Sequence, residues 1–136
     1  MIKSGSTIAL EAWDMKYKPN SDWNHAWGAA PANIIPRFIW GIEPSEPGYS
    51  KAVIKPQFGS LRNSSISVPT IKGNIEANYK LNDDIREFRI TIPSNMECDF
   101  VLPLKGDFVV LLNGKAIEAK SGIIKLIQGL NNITLI

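Results

Sequence analysis

Cysteine occurs once in the 136 residues, histidine once, and tryptophan nowhere after position 40. Each shortage closes off a class of function. The single thiol, Cys98, leaves no internal disulfide to form, and the single histidine, His25, among scattered carboxylates lacks the ligand spacing of a metal site. No metal and no cofactor is therefore expected. No apolar run reaches the roughly 18 residues needed to span a bilayer. The opening MIKSGSTIALEAWD has neither the apolar stretch nor the cleavage site of a signal peptide, so nothing marks this chain as anchored or exported. A net charge of +2, with lysines and arginines spread along the chain, points to neither nucleic acid nor an anionic membrane as partner. A Gly-rich phosphate loop, a G-x-S-x-G elbow and a Cys/His pair are all missing.

What is present fits a folded domain, since 44% hydrophobic and 21% charged residues over this length can bury a real core. The chain is organised around Asp22 to Tyr49, where helical patterning gives way to strand patterning. A helix is expected from about Trp23 to about Trp40, capped by Ser21 or Asp22 and apolar around most of its circumference. Pro31 and Pro36 lie inside it, and each deletes a backbone donor, so a kink or break is expected at both. Gly41 is a plausible stop, followed by a proline-rich turn through Glu43-Pro44 and Glu46-Pro47-Gly48.

Beyond that turn the hydrophobic period falls to two. Ile75, Ala77, Tyr79 and Leu81 alternate with polar residues, Asn82-Asp83-Asp84 turns the chain, and Phe88, Ile90 and Ile92 alternate again, which describes a hairpin with one buried face. Asn113-Gly114 suits a type I′ turn, because both central positions need positive φ. Further short runs at Val53, Leu61, Met96, Phe108, Ala116, Ile123 and Asn132 complete the pattern. The fold class expected is mainly β: an antiparallel β-sandwich of about eight strands preceded by a helical segment.

Tryptophan and histidine divide the chain unevenly: Trp13, Trp23, Trp27, Trp40 and His25 all lie in the first 40 residues. Any chemistry is therefore expected there. Glu11 and Asp14 flank Trp13, and a carboxylate beside an aromatic surface is the furniture of general acid or base catalysis and of sugar pockets. The same residues also read as a surface loop without a role, and His25 as a helix cap or a satisfied core group. Trp27 and Trp40 read as core. Cys98, on one period-two face with Met96, Phe100 and Leu102, reads as a buried, inert thiol.

The run HAWGAAP from His25, then Pro36-Arg37-Phe38, Gly41-Ile42-Glu43-Pro44, Pro47-Gly48-Tyr49, Ile54-Lys55-Pro56, Val68-Pro69-Thr70 and Gly73-Asn74-Ile75, resembles the C-terminal end of bacterial α-L-rhamnosidases. The resemblance implies that residues 1–45 are the end of a catalytic (α/α)6 barrel and residues 46–136 a C-terminal β-sandwich domain. It implies inverting hydrolysis of terminal α-L-rhamnosides by the full-length enzyme, with a rhamnose-containing glycan as partner. Through Thr7, Glu11, Trp13 and Asp14, which resemble the T-x-x-x-E-x-W-D segment of the family, Glu11 is the candidate general base. His25 resembles the histidine that contacts bound rhamnose, with Trp13 and Trp23 as candidate lining of the pocket.

The general acid of such enzymes lies far upstream, so this chain alone is expected to be inactive. The greasy helix then needs a cover, either the missing barrel or a second copy of the chain. The resemblance places the parent in bacteria without fixing its compartment. The alternative reading is a non-catalytic β-sandwich module that buttresses a neighbouring domain or binds carbohydrate; another barrel hydrolase is disfavoured by the order of the motifs.

Overall fold

The computed structural model describes residues 5, 8–12, 16–19, 26–103 and 109–136. The chain divides into two compact units, 1–35 and 36–136. In the first, the helical stretch opens as a 3₁₀ turn over Ala26–Ala29 and continues as a short α-helix, α1, over Ala30–Ile34. It then becomes a π-helical segment over Ile35–Trp40, which carries the chain into the second unit. The two changes of helix type fall next to the two prolines. Pro31 occupies the first turn of α1, where its missing N–H removes no bond, and Pro36 sits where the ladder slips to wider spacing. The expected breaks at Pro31 and Pro36 are thus realised as changes of pitch.

Ten strands follow among the described residues, against the roughly eight that alternation suggests. They are β1 (Ile42–Pro44), β2 (Lys51–Ile54), β3 (Asn63–Thr70), β4 (Gly73–Asn82), β5 (Ile85–Ile92), β6 (Glu97–Val101), β7 (Val110–Leu112), β8 (Lys115–Ile117), β9 (Ile123–Leu126) and β10 (Gly129–Leu135). They form a four-stranded sheet, β1-β2-β6-β9, and a six-stranded sheet, β3-β4-β5-β10-β7-β8, in a sandwich-like arrangement. All pairings are antiparallel except β2 with β6. Glu43-Pro44, expected as turn, ends β1. Its edge position tolerates a proline, which has no N–H to give to the ladder.

Alternation decides what is buried. Ile75, Ala77 and Tyr79 of β4 and Phe88, Ile90 and Ile92 of β5 all point inward, as do Cys98 and Phe100 of β6. Through the core runs an aromatic chain. Trp40 meets Phe58 edge-on at 4.7 Å, Phe58 stacks on Tyr79 at 4.1 Å, Tyr79 contacts Phe88 at 5.1 Å, and Phe88 meets Phe100 at 5.0 Å. Each such pair adds about 0.5–1.5 kcal/mol to the area it buries. Asn131 is the one fully buried polar side chain among the described residues, and it is satisfied. Its amide donates to the carbonyls of Ile127 and Gly129 at 2.7 and 3.0 Å, while its Oδ1 accepts from the Ile127 N–H at 3.0 Å. The β9–β10 turn is thereby tied from inside; an unpaired amide at that depth would cost about 1–3 kcal/mol.

The junction between helix and sandwich is fixed by Trp40 and Gly41. Trp40 is fully buried, and its indole N–H donates to Ser64 Oγ on β3 at 3.0 Å. Gly41 has φ +62°, and a Cβ there would lie 2.1 Å from the Lys55 carbonyl oxygen. Only glycine permits that turn and that approach. The Lys55 N–H donates to Gly41 O at 3.0 Å, and Gln57 N–H donates to Ile39 O at 2.8 Å. One tryptophan departs from expectation: Trp27, read as core, is 58% exposed, because 3₁₀ geometry turns it outward while the small Gly28 beside it is buried.

Candidate functional site

Of the site residues expected from sequence, Glu11 lies among the described residues, whereas Trp13, Trp23 and His25 lie outside them. The Glu11 side chain is only 12% exposed, and its Oε1 accepts a charge-assisted hydrogen bond from the half-exposed Lys18 ammonium. Backbone contacts hold this segment in place. The Ala9 N–H donates to the Gly28 carbonyl at 3.0 Å, and a Cβ on Gly28 would lie 2.3 Å from the Ala9 carbonyl oxygen. Glycine at position 28 therefore lets the two backbones touch. By this contact the Glu11 strand of chain is fastened to the 3₁₀ turn that immediately follows His25 in sequence.

A carboxylate this sheltered can take a proton from a water held against it. Lys18 had no signal in the sequence beyond interrupting the apolar pattern, because it meets Glu11 through a contact between positions seven apart. Among the described residues no cluster of three or more His, Cys, Asp and Glu could hold a metal.

A second polar group stands where the helix enters the sandwich. The Arg37 guanidinium donates to Glu43 Oε1 at 2.6 Å and lies 5.7 Å from the Phe38 ring centre. Burial, followed by the charge of Glu43, raises the Tyr49 hydroxyl above its ordinary pKa. Gly48 and Tyr49 both take positive φ, which closes the loop between β1 and β2. Ser45 and Glu46 N–H groups then converge on the Lys51 carbonyl at 2.9 and 3.3 Å. These residues hold a connector in shape; the ion pair is half-exposed and worth little by itself.

That connector begins the part of the chain matched by a known family. The model of the bacterial α-L-rhamnosidase C-terminal domain matches residues 41–113, more than half of the 136 residues. The chain belongs to that family. An α-L-rhamnosidase of Alteromonas sp. (strain LOR) is 30% identical over 123 residues, and one of Formosa agariphila is 26% identical over 124. These matches take in 84% and 87% of this chain but 13% of each relative's length.

The solved structure of the α-L-rhamnosidase from Dictyoglumus thermophilum is similar at a TM-score of 0.79 and 28% identity, over 99% of this chain and 17% of that one. The α-L-rhamnosidase of Streptomyces avermitilis, solved with L-rhamnose, shares the fold at a TM-score of 0.75 and 21% identity, over 98% of this chain and 14% of that one. The match to that family's model begins at Gly41. Glu11 precedes it.

Proposed function

We propose that this chain is the C-terminal part of an α-L-rhamnosidase. In the whole enzyme residues 1–45 close the catalytic barrel, residues 46–136 buttress it, and terminal α-L-rhamnosides are hydrolysed with inversion. The observation that carries this reading is that almost the whole chain is matched by only 13% of α-L-rhamnosidases of two organisms. Inversion takes two carboxyl groups about 6.5–9.5 Å apart, one to protonate the leaving oxygen and one to activate water. Glu11 is the base in this proposal, and the acid belongs to the barrel. His25, Trp13 and Trp23 contact the sugar.

The sheltered position of Glu11 supports its role, since a carboxylate screened from bulk water can be aimed at a single water molecule. On this reading the 136-residue chain does not turn over sugar. The test is to incubate the purified chain with 4-nitrophenyl α-L-rhamnopyranoside beside its Glu11→Gln variant. No release of nitrophenol by either is expected; release that disappears in Glu11→Gln contradicts the proposal.

A further inference from the structure

The outward face of the six-stranded sheet carries a trough of about 760 Å³ that runs across β3, β4, β5 and β10. Strand register builds its walls. Ser65, Asn78, Arg89 and Asn132 stand in one cross-strand row, and Asn63, Lys80, Glu87 and Thr134 stand in a parallel row two residues away. The backbone between the rows is the floor, its own side chains Tyr79, Phe88 and Ile133 pointing into the core. Four strands about 4.8 Å apart make the trough about 14 Å long, enough for a short oligosaccharide.

Charge in the trough is unequal. Arg62, Lys80 and Arg89 line it against the single carboxylate of Glu87, which accepts from Asn82 Nδ2 at 3.0 Å. Among the described residues none of the three cations makes a side-chain hydrogen bond or ion pair, although Lys80 stands directly opposite Glu87. Three exposed cations therefore converge on one concave surface with their donors uncommitted. The remaining walls are amides and hydroxyls, which both give and accept hydrogen bonds.

We propose that this trough binds an acidic, carboxylated oligosaccharide. A sugar hydroxyl matches the amide and hydroxyl rows, while a ring carboxylate fits between Arg89 and Lys80, where a planar guanidinium can hold it with two parallel bonds. Neither row contains an aromatic side chain, so the trough offers no platform for stacked bases and no anchor for an apolar peptide side chain. Recognition runs through charge and hydrogen bonds alone. The inference stands apart from the role of Glu11: either can fail without the other.

Titration of the full chain with trigalacturonic acid, followed by calorimetry and by amide chemical shifts, tests it. Saturable binding that perturbs Asn78, Arg89 and Asn132 is expected, with cellotriose and citrate each at least about tenfold weaker, since a hydrogen bond to a charged partner is worth roughly that factor. Arg89→Gln weakens trigalacturonate about tenfold. Glu87→Gln strengthens it, because the one opposing charge is removed. Both positions are exposed, and unchanged thermal unfolding shows that each variant folds. Absence of binding, equal binding of cellotriose, of citrate or of an oligothymidylate, or an Arg89→Gln variant with wild-type affinity overturns the proposal.

Discussion

Cys98 is 2% exposed on the inward face of β6, and burial, reinforced by the Asp99 carboxylate, pushes its thiol from 9.0 up to about 12. This is what its alternation with Met96 and Phe100 implied, and it makes the residue inert as a nucleophile at neutral pH. The shift also ties stability to pH. The folded chain keeps this proton where the unfolded chain gives it up, so the contribution is complete below about pH 9 and is lost as pH rises through the folded value near 12. Thermal unfolding followed between pH 7 and pH 12 should show a midpoint that falls above pH 9, with part of that fall missing in Cys98→Ala. Equal slopes in the two proteins would contradict the assignment.

Asn131 teaches the complementary lesson at the same scale. Nothing in its sequence neighbourhood separates it from exposed Asn132, because the difference is made by a turn whose carbonyls it satisfies.

Among the elements, those with local periodicity were legible and those defined by distant partners were not. β4 and β5 follow the period-two residues closely, and Asn113 and Gly114 take φ of 51° and 79°, as their type I′ reading requires. The parallel pairing of β2 with β6 left no trace in the order of residues, since β3, β4 and β5 intervene. Pro44 concealed β1 because proline argues against a strand everywhere but at an edge. The trough was hidden for the same reason as the parallel pair: its eight wall residues come from four strands and meet only through register.

The helical stretch carries its own prediction. Trp27 is 58% exposed, and Ile34, Ile35 and Phe38 are about half-exposed, though the segment is as apolar as expected. We propose that in the whole enzyme the barrel covers these side chains, and that without it copies of the chain cover one another. Sedimentation velocity of the purified chain should show association that grows with concentration, and Ile34→Lys with Phe38→Lys should return it to monomer. A wild-type chain that stays monomeric throughout would contradict the need for a cover.

For the molecule as a whole, each of the two units keeps its own character, and within residues 36–136 the last helical turn runs directly into β1. Trp40 and Gly41 anchor the end of the helix in the sandwich with a buried indole, one side-chain hydrogen bond and two backbone bonds. Losing a tryptophan from such a core costs about 3–5 kcal/mol, so the sandwich is built to hold that end still. Of the motif residues that carry the family resemblance, Gly41 and Lys55 take part in this junction, and Arg37, Glu43, Gly48 and Tyr49 shape the connector beside it. Resemblance was therefore legible through structure-bearing positions, whereas of the expected site residues only Glu11 is among those the structure describes. Its partner Lys18 follows no pattern in the sequence, and Trp13, Trp23 and His25 lie outside the described residues.

Whether Glu11 works as the base once a barrel supplies the acid decides whether the proposed function holds. Its most direct test is a chimera in which the matching C-terminal segment of a full-length α-L-rhamnosidase of solved structure is replaced by this chain. The chimera should hydrolyse 4-nitrophenyl α-L-rhamnopyranoside, and Glu11→Gln should lower its kcat at least about 100-fold with little change in KM. A folded chimera whose Glu11→Gln variant keeps the full kcat would contradict the account.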